Sequence, residues 1–212
     1  MTDAKQKYYE KRGQILVRNL QQRHFDAHYC ADKDAALQKA LELIPEGASV
    51  GWGGALSATQ IGLLEAVKAG PYRAIDRDTA QSPQERVKLQ KECLLSDVFV
   101  TGANALSLDG QMVNIDGMGN RVAAIVYGPE SVLVIAGMNK VVDSLEDAVK
   151  RARTVAAPMN KQRFGGSTPC ITTGSCADCR CEDSICNQIL ITRNCRPAGR
   201  IRFIIVGEEL GF

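Results

Sequence analysis

Six of the eight cysteines lie between Cys170 and Cys195. Four of them, Cys170, Cys176, Cys179 and Cys186, follow the spacing C-x5-C-x2-C-x6-C, with Cys181 inserted and Cys195 further on. A C-x2-C pair lets two thiolates reach one metal from a single turn, and nearby thiols can complete a tetrahedral shell. The only histidines, His24 and His28, are distant in sequence, so such a shell would be all sulfur. Four thiolates suit zinc or an iron–sulfur cluster. Arg180, Arg193 and Arg196 would ease their negative charge. The spacing differs from the two-cluster ferredoxin run. Redox-active thiols and plain cysteines stay open as alternatives.

A second chemical signal is the loop Val50-Gly51-Trp52-Gly53-Gly54-Ala55-Leu56-Ser57-Ala58-Thr59. It joins a predicted strand to a predicted helix. Gly51, Gly53 and Gly54 would let the backbone turn sharply and approach a ligand closely. Free amides at the helix start favour an anion, and Ser57 and Thr59 add hydroxyls. Phosphate, carboxylate or pyrophosphate would fit. The alternative is a tight turn with Ser57 as helix N-cap. The loop is neither a phosphate-binding Walker loop nor a GxGxxG fingerprint. Trp52 is either a flat wall of the pocket or core packing.

Three further loops follow predicted strands: Thr101-Gly102-Ala103-Asn104, Asp116 to Arg121 (with Asn120), and Gly137 to Lys140. In a parallel sheet they would all open at the carboxyl ends of strands, where ligands of open α/β sheets bind. Arg121 and Lys140 would then meet the glycine loop around an anionic ligand, with Asp116 and Lys140 as candidate acid/base groups. Asp116 is equally well read as a turn or capping residue. Asp109, before Gly110, reads as a hairpin turn residue.

The elements that must position these residues follow from periodicity. Residues 4–24 read as a helix, 26–31 as a short strand, and Asp32 as the cap of a helix to Ile44. Strands are predicted at 48–52, 72–76, 97–101, 112–115, 131–136 and 200–206. Helices are predicted at 57–69, from the Ser82-Pro83-Gln84-Glu85 start to Leu95, at 119–127, and from Ser144 to about Ala156. This alternation implies an α/β fold: a mainly parallel sheet with helices on both faces. Helical periodicity stops after Pro158, leaving a Cys-rich irregular segment over 165–199. Residues 1–45 read as a helical region packed on an α/β core formed by 46–212. The long first helix is also a candidate surface for a protein partner or a homodimer.

The composition is that of a globular protein: 45% hydrophobic and 24% charged residues over 212, with formal net charge +2. Such balance does not predict nucleic-acid or membrane-surface binding. No apolar run approaches a membrane span, and the polar start lacks the apolar stretch of a signal peptide. A cytoplasmic protein is expected.

The run TGANALSLDGQMVNIDGMGNRVAAIVYGPESVLVIAGMNKVV resembles the signature of the LUD (lactate-utilisation-like) family. VGWGGALSATQIGLLEAV is similar to its upstream glycine loop, IDRDTAQSPQERVKLQKECLLSDVFVTG to its linking section, and GEELGF to its terminal motif. The resemblance covers nearly the whole chain. It implies a fold similar to sugar-phosphate isomerases, glucosamine-phosphate deaminases and CoA-transferases, whose equivalent loop binds phosphorylated or CoA-linked ligands. It therefore implies an anion role for Gly51, Gly53, Gly54, Ser57 and Thr59. It also implies a link to growth on lactate, and Cys170, Cys176, Cys179 and Cys186 as ligands of an iron–sulfur cluster or zinc; Cys181 and Cys195 depart from the family pattern. Three readings follow: a protein binding a small anionic ligand, an iron–sulfur accessory subunit passing electrons to a partner, and a zinc-stabilised interaction protein without enzymatic activity.

Overall fold

The computed structural model describes residues 2–212. Six parallel strands form the main sheet in the order β1-β10-β7-β4-β2-β3. They are β1 (Asp26–Cys30), β2 (Ser49–Gly53), β3 (Arg73–Ile75), β4 (Val98–Gly102), β7 (Ser131–Gly137) and β10 (Ile201–Val206). Every residue of β2, β4 and β7 is buried. Alternate residues enter two different cores: Val132, Val134 and Ala136 of β7 face one, Leu133 and Ile135 the other. Both faces must therefore be covered.

On one face lie α2 (Lys33–Leu43), α3 (Leu56–Gln60) and α4 (Leu63–Ala69), which bury Ala36, Ala40, Ala58, Leu63 and Val67. On the other lie α1 (Asp3–Gln22), through Leu16 and Leu20, and α6 (Asn120–Val126), through Ala124 and Ile125. The helix α5 (Pro83–Glu92) begins as expected, with the Ser82 side chain accepting from the Glu85 amide. Within the N-terminal region, residues 26–30 do more than pack on the core, because β1 pairs with β10 and forms an edge of the sheet.

Three expectations need correcting. The helix expected over 57–69 is two pieces, α3 and α4, broken where Gly62 adopts φ +80°. Ser57 is inside α3, and Ala55 stands at its N-cap without a side-chain bond. The strand expected at 112–115 lies outside the main sheet. As β6 (Met112–Asp116) it belongs to a four-stranded sheet, β8-β5-β6-β9, with β5 (Ala105–Ser107), β8 (Val141–Val142) and β9 (Gln188–Thr192). The β5–β6 hairpin turns at Asp109-Gly110, where Gly110 has φ +93°.

The segment after Pro158 is also more ordered than its composition suggests. The helix α7 (Leu145–Arg151) runs on through a π-helical turn (Ala152–Ala156) into α8 (Ala157–Lys161), with Pro158 in the first turn of α8. A short α9 (Pro169–Thr173) follows, and β9 pairs antiparallel with β6. Lys161 ties this segment down: its buried ammonium donates to the Asp183 carbonyl at 2.7 Å and carboxylate at 3.2 Å. Among the described residues, no helix is long and apolar enough to cross a membrane.

Candidate functional site

Because the strands of the main sheet are all parallel, the chain leaves β2, β3, β4, β7 and β10 at one edge. Four cations gather there. Lys140, in the turn after β7, is 4% exposed. Its Nζ donates to Ser57 Oγ at 3.1 Å and to the Ala103 carbonyl at 3.0 Å. Burial, and then the guanidinium groups of Arg151 and Arg121, push its pKa down to about 7.

Arg121, in the first turn of α6, donates through Nη2 to Asn104 Oδ1 at 3.0 Å and to the Ile115 carbonyl. Its Nη1 lies against the glycine loop: a Cβ on Gly54 would stand 2.7 Å from it. Gly54 also has φ +59°, so both backbone and space require glycine there. Burial lowers the Arg121 pKa, the neighbouring Asp116 opposes that, and Arg77 reinforces it. Arg151, on α7, reaches across to donate to the carbonyls of Asn104 at 2.5 Å and Asn139 at 3.1 Å.

Arg77 follows β3. Its Nη1 would be 3.6 Å from a Cβ on Gly53, with Asn120 Nδ2 at 3.7 Å. Its Nε is buried without a protein partner. Sequence reading passed over Arg77 and Arg151. The rule that ligands sit at carboxyl ends of strands pointed to Arg77, two residues beyond β3. Nothing local marked Arg151, which arrives from the last residue of α7.

The remaining predicted residues have defined places. Thr101 Oγ1 donates to the Gly53 carbonyl at 2.7 Å, tying the ends of β4 and β2 together. Gly102 permits a close approach: a Cβ there would be 3.2 Å from the Gly54 carbonyl and 3.8 Å from Lys140 Nζ. Gly51 lies deeper, over the Cys93 thiol. The Asp116 carboxylate accepts from the amides of Gly117 at 2.9 Å, Arg121 at 2.9 Å and Val122 at 3.1 Å. It thus caps α6 and fixes the start of the helix that carries Arg121. Thr59 is exposed and its hydroxyl is bonded back to Ala55. Trp52 packs in the core, 4% exposed, with the Lys68 ammonium 5.8 Å from the ring centre, and is no wall of the cation cluster.

The cysteines form a separate place. Cys170, Cys176, Cys179 and Cys186 all line one cavity of about 70 Å³, with Ile115, Ile189, Arg153 and Pro158. Burial, then the thiols of Cys176, Cys170 and Cys179, push the Cys186 thiol up. Cys181 does not line the cavity, and Cys195 is buried in the core, its sulfur accepting from the Ile201 amide at 3.2 Å. Among the described residues, no three His, Cys, Asp or Glu side chains already stand close enough to hold one ion. Thiols are the donor type that suits a soft metal or cluster.

The two places touch. The loop carrying Cys186 lies on the loop after β6: Asn187 donates from its side chain to the Gly117 carbonyl at 3.0 Å and from its backbone to the Asp116 carbonyl at 2.9 Å. Ile115 lines the cysteine cavity with its side chain while its carbonyl accepts from Arg121.

The family model described as the LUD domain matches residues 13–206. The chain belongs to the LUD domain family. This LUD domain is also similar to a solved structure of a DUF162 family protein from Deinococcus radiodurans. The TM-score is 0.54 at 11% identity, with 93% of this chain and 97% of that one covered. That likeness supports the α/β fold. A ribose 5-phosphate isomerase A from Methanocaldococcus jannaschii matches more weakly, with TM-score 0.34, 17% identity, and 53% and 55% of the two chains covered. No curated protein matches the chain.

Proposed function

We propose that this LUD domain binds a small anionic ligand, a carboxylate, phosphate ester or CoA-like group, at the glycine-loop edge of its main sheet. One observation carries the reading: Arg77, Arg121, Lys140 and Arg151 converge there, while the neighbouring carboxylate, Asp116, is turned onto backbone amides. Arg77 has a buried Nε awaiting an acceptor, and an anion would supply one. The short α3 adds little dipole, so the cations supply the attraction. Guanidinium groups match carboxylate and phosphate oxygens bidentately. A link to lactate or its oxidised product agrees with this preference. Thermal-shift titration with phosphate, lactate, pyruvate and CoA tests the reading. Stabilisation by at least one of them, lost in Arg77→Ala and Arg121→Ala, is expected. No stabilisation by any would overturn it.

A second reading rests on the cysteine cavity. Four thiolates suit either zinc, bound tetrahedrally at about 2.3 Å, or an iron–sulfur cluster. A cluster, when bound, would supply one-electron transfer. Cys170, Cys176, Cys179 and Cys186 would hold it, while Arg153 on the cavity wall is already paired with Asp178. Iron and zinc analysis of protein purified without oxygen separates the two metals.

A further inference from the structure

Among the described residues the LUD domain has two buried lysines, and they are partnered differently. Lys161, 4% exposed, has a carboxylate counter-ion in Asp183 at 3.2 Å. Lys140, equally buried, has none; its partners are a hydroxyl and a carbonyl, and its charged neighbours are Arg121 and Arg151. A lysine kept only to tie loops together is expected to have a counter-ion, as Lys161 does. Lys140 instead stands where an uncharged amine is favoured, beside cations that attract anions. An uncharged, desolvated amine is a nucleophile toward carbonyl groups.

We propose that Lys140 forms a Schiff base with a small carbonyl compound carrying a carboxylate or phosphate, which Arg77 and Arg121 hold beside it. This rests on the anion site described above and names its substrate class as a 2-oxo acid or keto-phosphate. The lone pair of Lys140 Nζ forms the new C–N bond while the carbonyl π pair moves to oxygen. Both amine hydrogens and that oxygen then leave as water, giving the C=N bond with no change of oxidation state. Ser57 Oγ, 3.1 Å from Nζ, is placed to relay a proton to the departing oxygen.

The segment after β10 covers this amine. A Cβ on Gly211 would stand 3.0 Å from both Lys140 Nζ and Ser57 Oγ. The segment is fastened by the Gly211 amide to Gln60 Oε1 at 2.6 Å and by the Leu210 amide to Asn139 Oδ1 at 3.0 Å. These bonds close the site, and a substrate must part them.

Borohydride trapping tests the proposal. The full chain is incubated with pyruvate, and separately with dihydroxyacetone phosphate, under reductant, then digested and mapped by mass. The expected product is a single secondary amine at Lys140, heavier by the probe less one oxygen. It should form faster as pH rises through about 7 and faster in Gln60→Ala. Lys140→Arg should take no label, and the wild-type map stands whether or not that variant folds. Label spread over exposed lysines, or none at Lys140, overturns the proposal. If the probes stabilise the protein without labelling it, the anion site survives and the Schiff base does not. If they neither stabilise nor label, and phosphate, lactate and CoA also leave the melting unchanged, both fail.

Discussion

Lys140 makes the stability of this fold depend on pH in a direction opposite to that of an ion-paired lysine. In the unfolded chain its amine titrates near the ordinary 10.5, and in the fold near about 7. Between those values unfolding must take up a proton, so stability rises with pH, by up to about 1.4 kcal/mol per pH unit. Below about 7 the amine is protonated in both states, and the fold carries the full cost of burying the charge. From roughly pH 6 to 8 the net gain works out at about 1.4 kcal/mol. Replacing Lys140 with Met removes the titration and keeps most of the volume. Urea unfolding of both proteins at three pH values should show wild type gaining about 1.4 kcal/mol more than Lys140→Met across that interval. In thermal melts the excess corresponds to roughly 3–6 °C. Other titrating groups are common to both proteins and cancel. Parallel pH profiles would mean that the amine is charged in the fold, and the argument from its surroundings would be wrong.

Gly54→Ala forces a side chain into a left-handed backbone and onto Arg121. Chemical unfolding should show a loss of roughly 1–3 kcal/mol, and phosphate titration a weaker response. Cys170→Ser should lower the iron recovered under anaerobic purification, whereas Cys181→Ser should not, because only Cys170 faces the cavity. Asp183→Ala leaves the buried Lys161 ammonium without its counter-ion and frees the Ser167 amide. Limited proteolysis within 165–186 should speed up, and metal content should fall with every thiol still present.

The main sheet was legible because SVLVIA and RFIIV are apolar at consecutive positions, the pattern of strands buried on both faces. The second sheet was not. Its β6–β9 pairing joins Asp116 to Gln188 across more than seventy residues, and no local period reports such a partner. In β9, Ile189 and Ile191 are only half-buried, so a strand sits where the cysteines drew the eye to a loop. At the site, the parallel-sheet rule brought Gly54 and Lys140 to one edge, whereas Arg121 arrives from β6 of the second sheet, outside that rule. The rule could not tell whether Asp116 is an acid or a cap, because a carboxylate before a helix suits both; its three amide donors are visible only in space. The four cysteines chosen by spacing and resemblance are the four that share a cavity.

The placement of β10 carries a consequence for how the molecule is made. It lies between β1 and β7, although β1 precedes it by some 170 residues. Until Ile201–Val206 has left the ribosome, β1 has no neighbour and β7 keeps an open flank. Such non-local pairing slows folding, and unpaired strand edges invite association with other chains. Chains whose β10 has not yet been made should therefore lean on chaperones, with the sheet closing only as that strand slides into the middle.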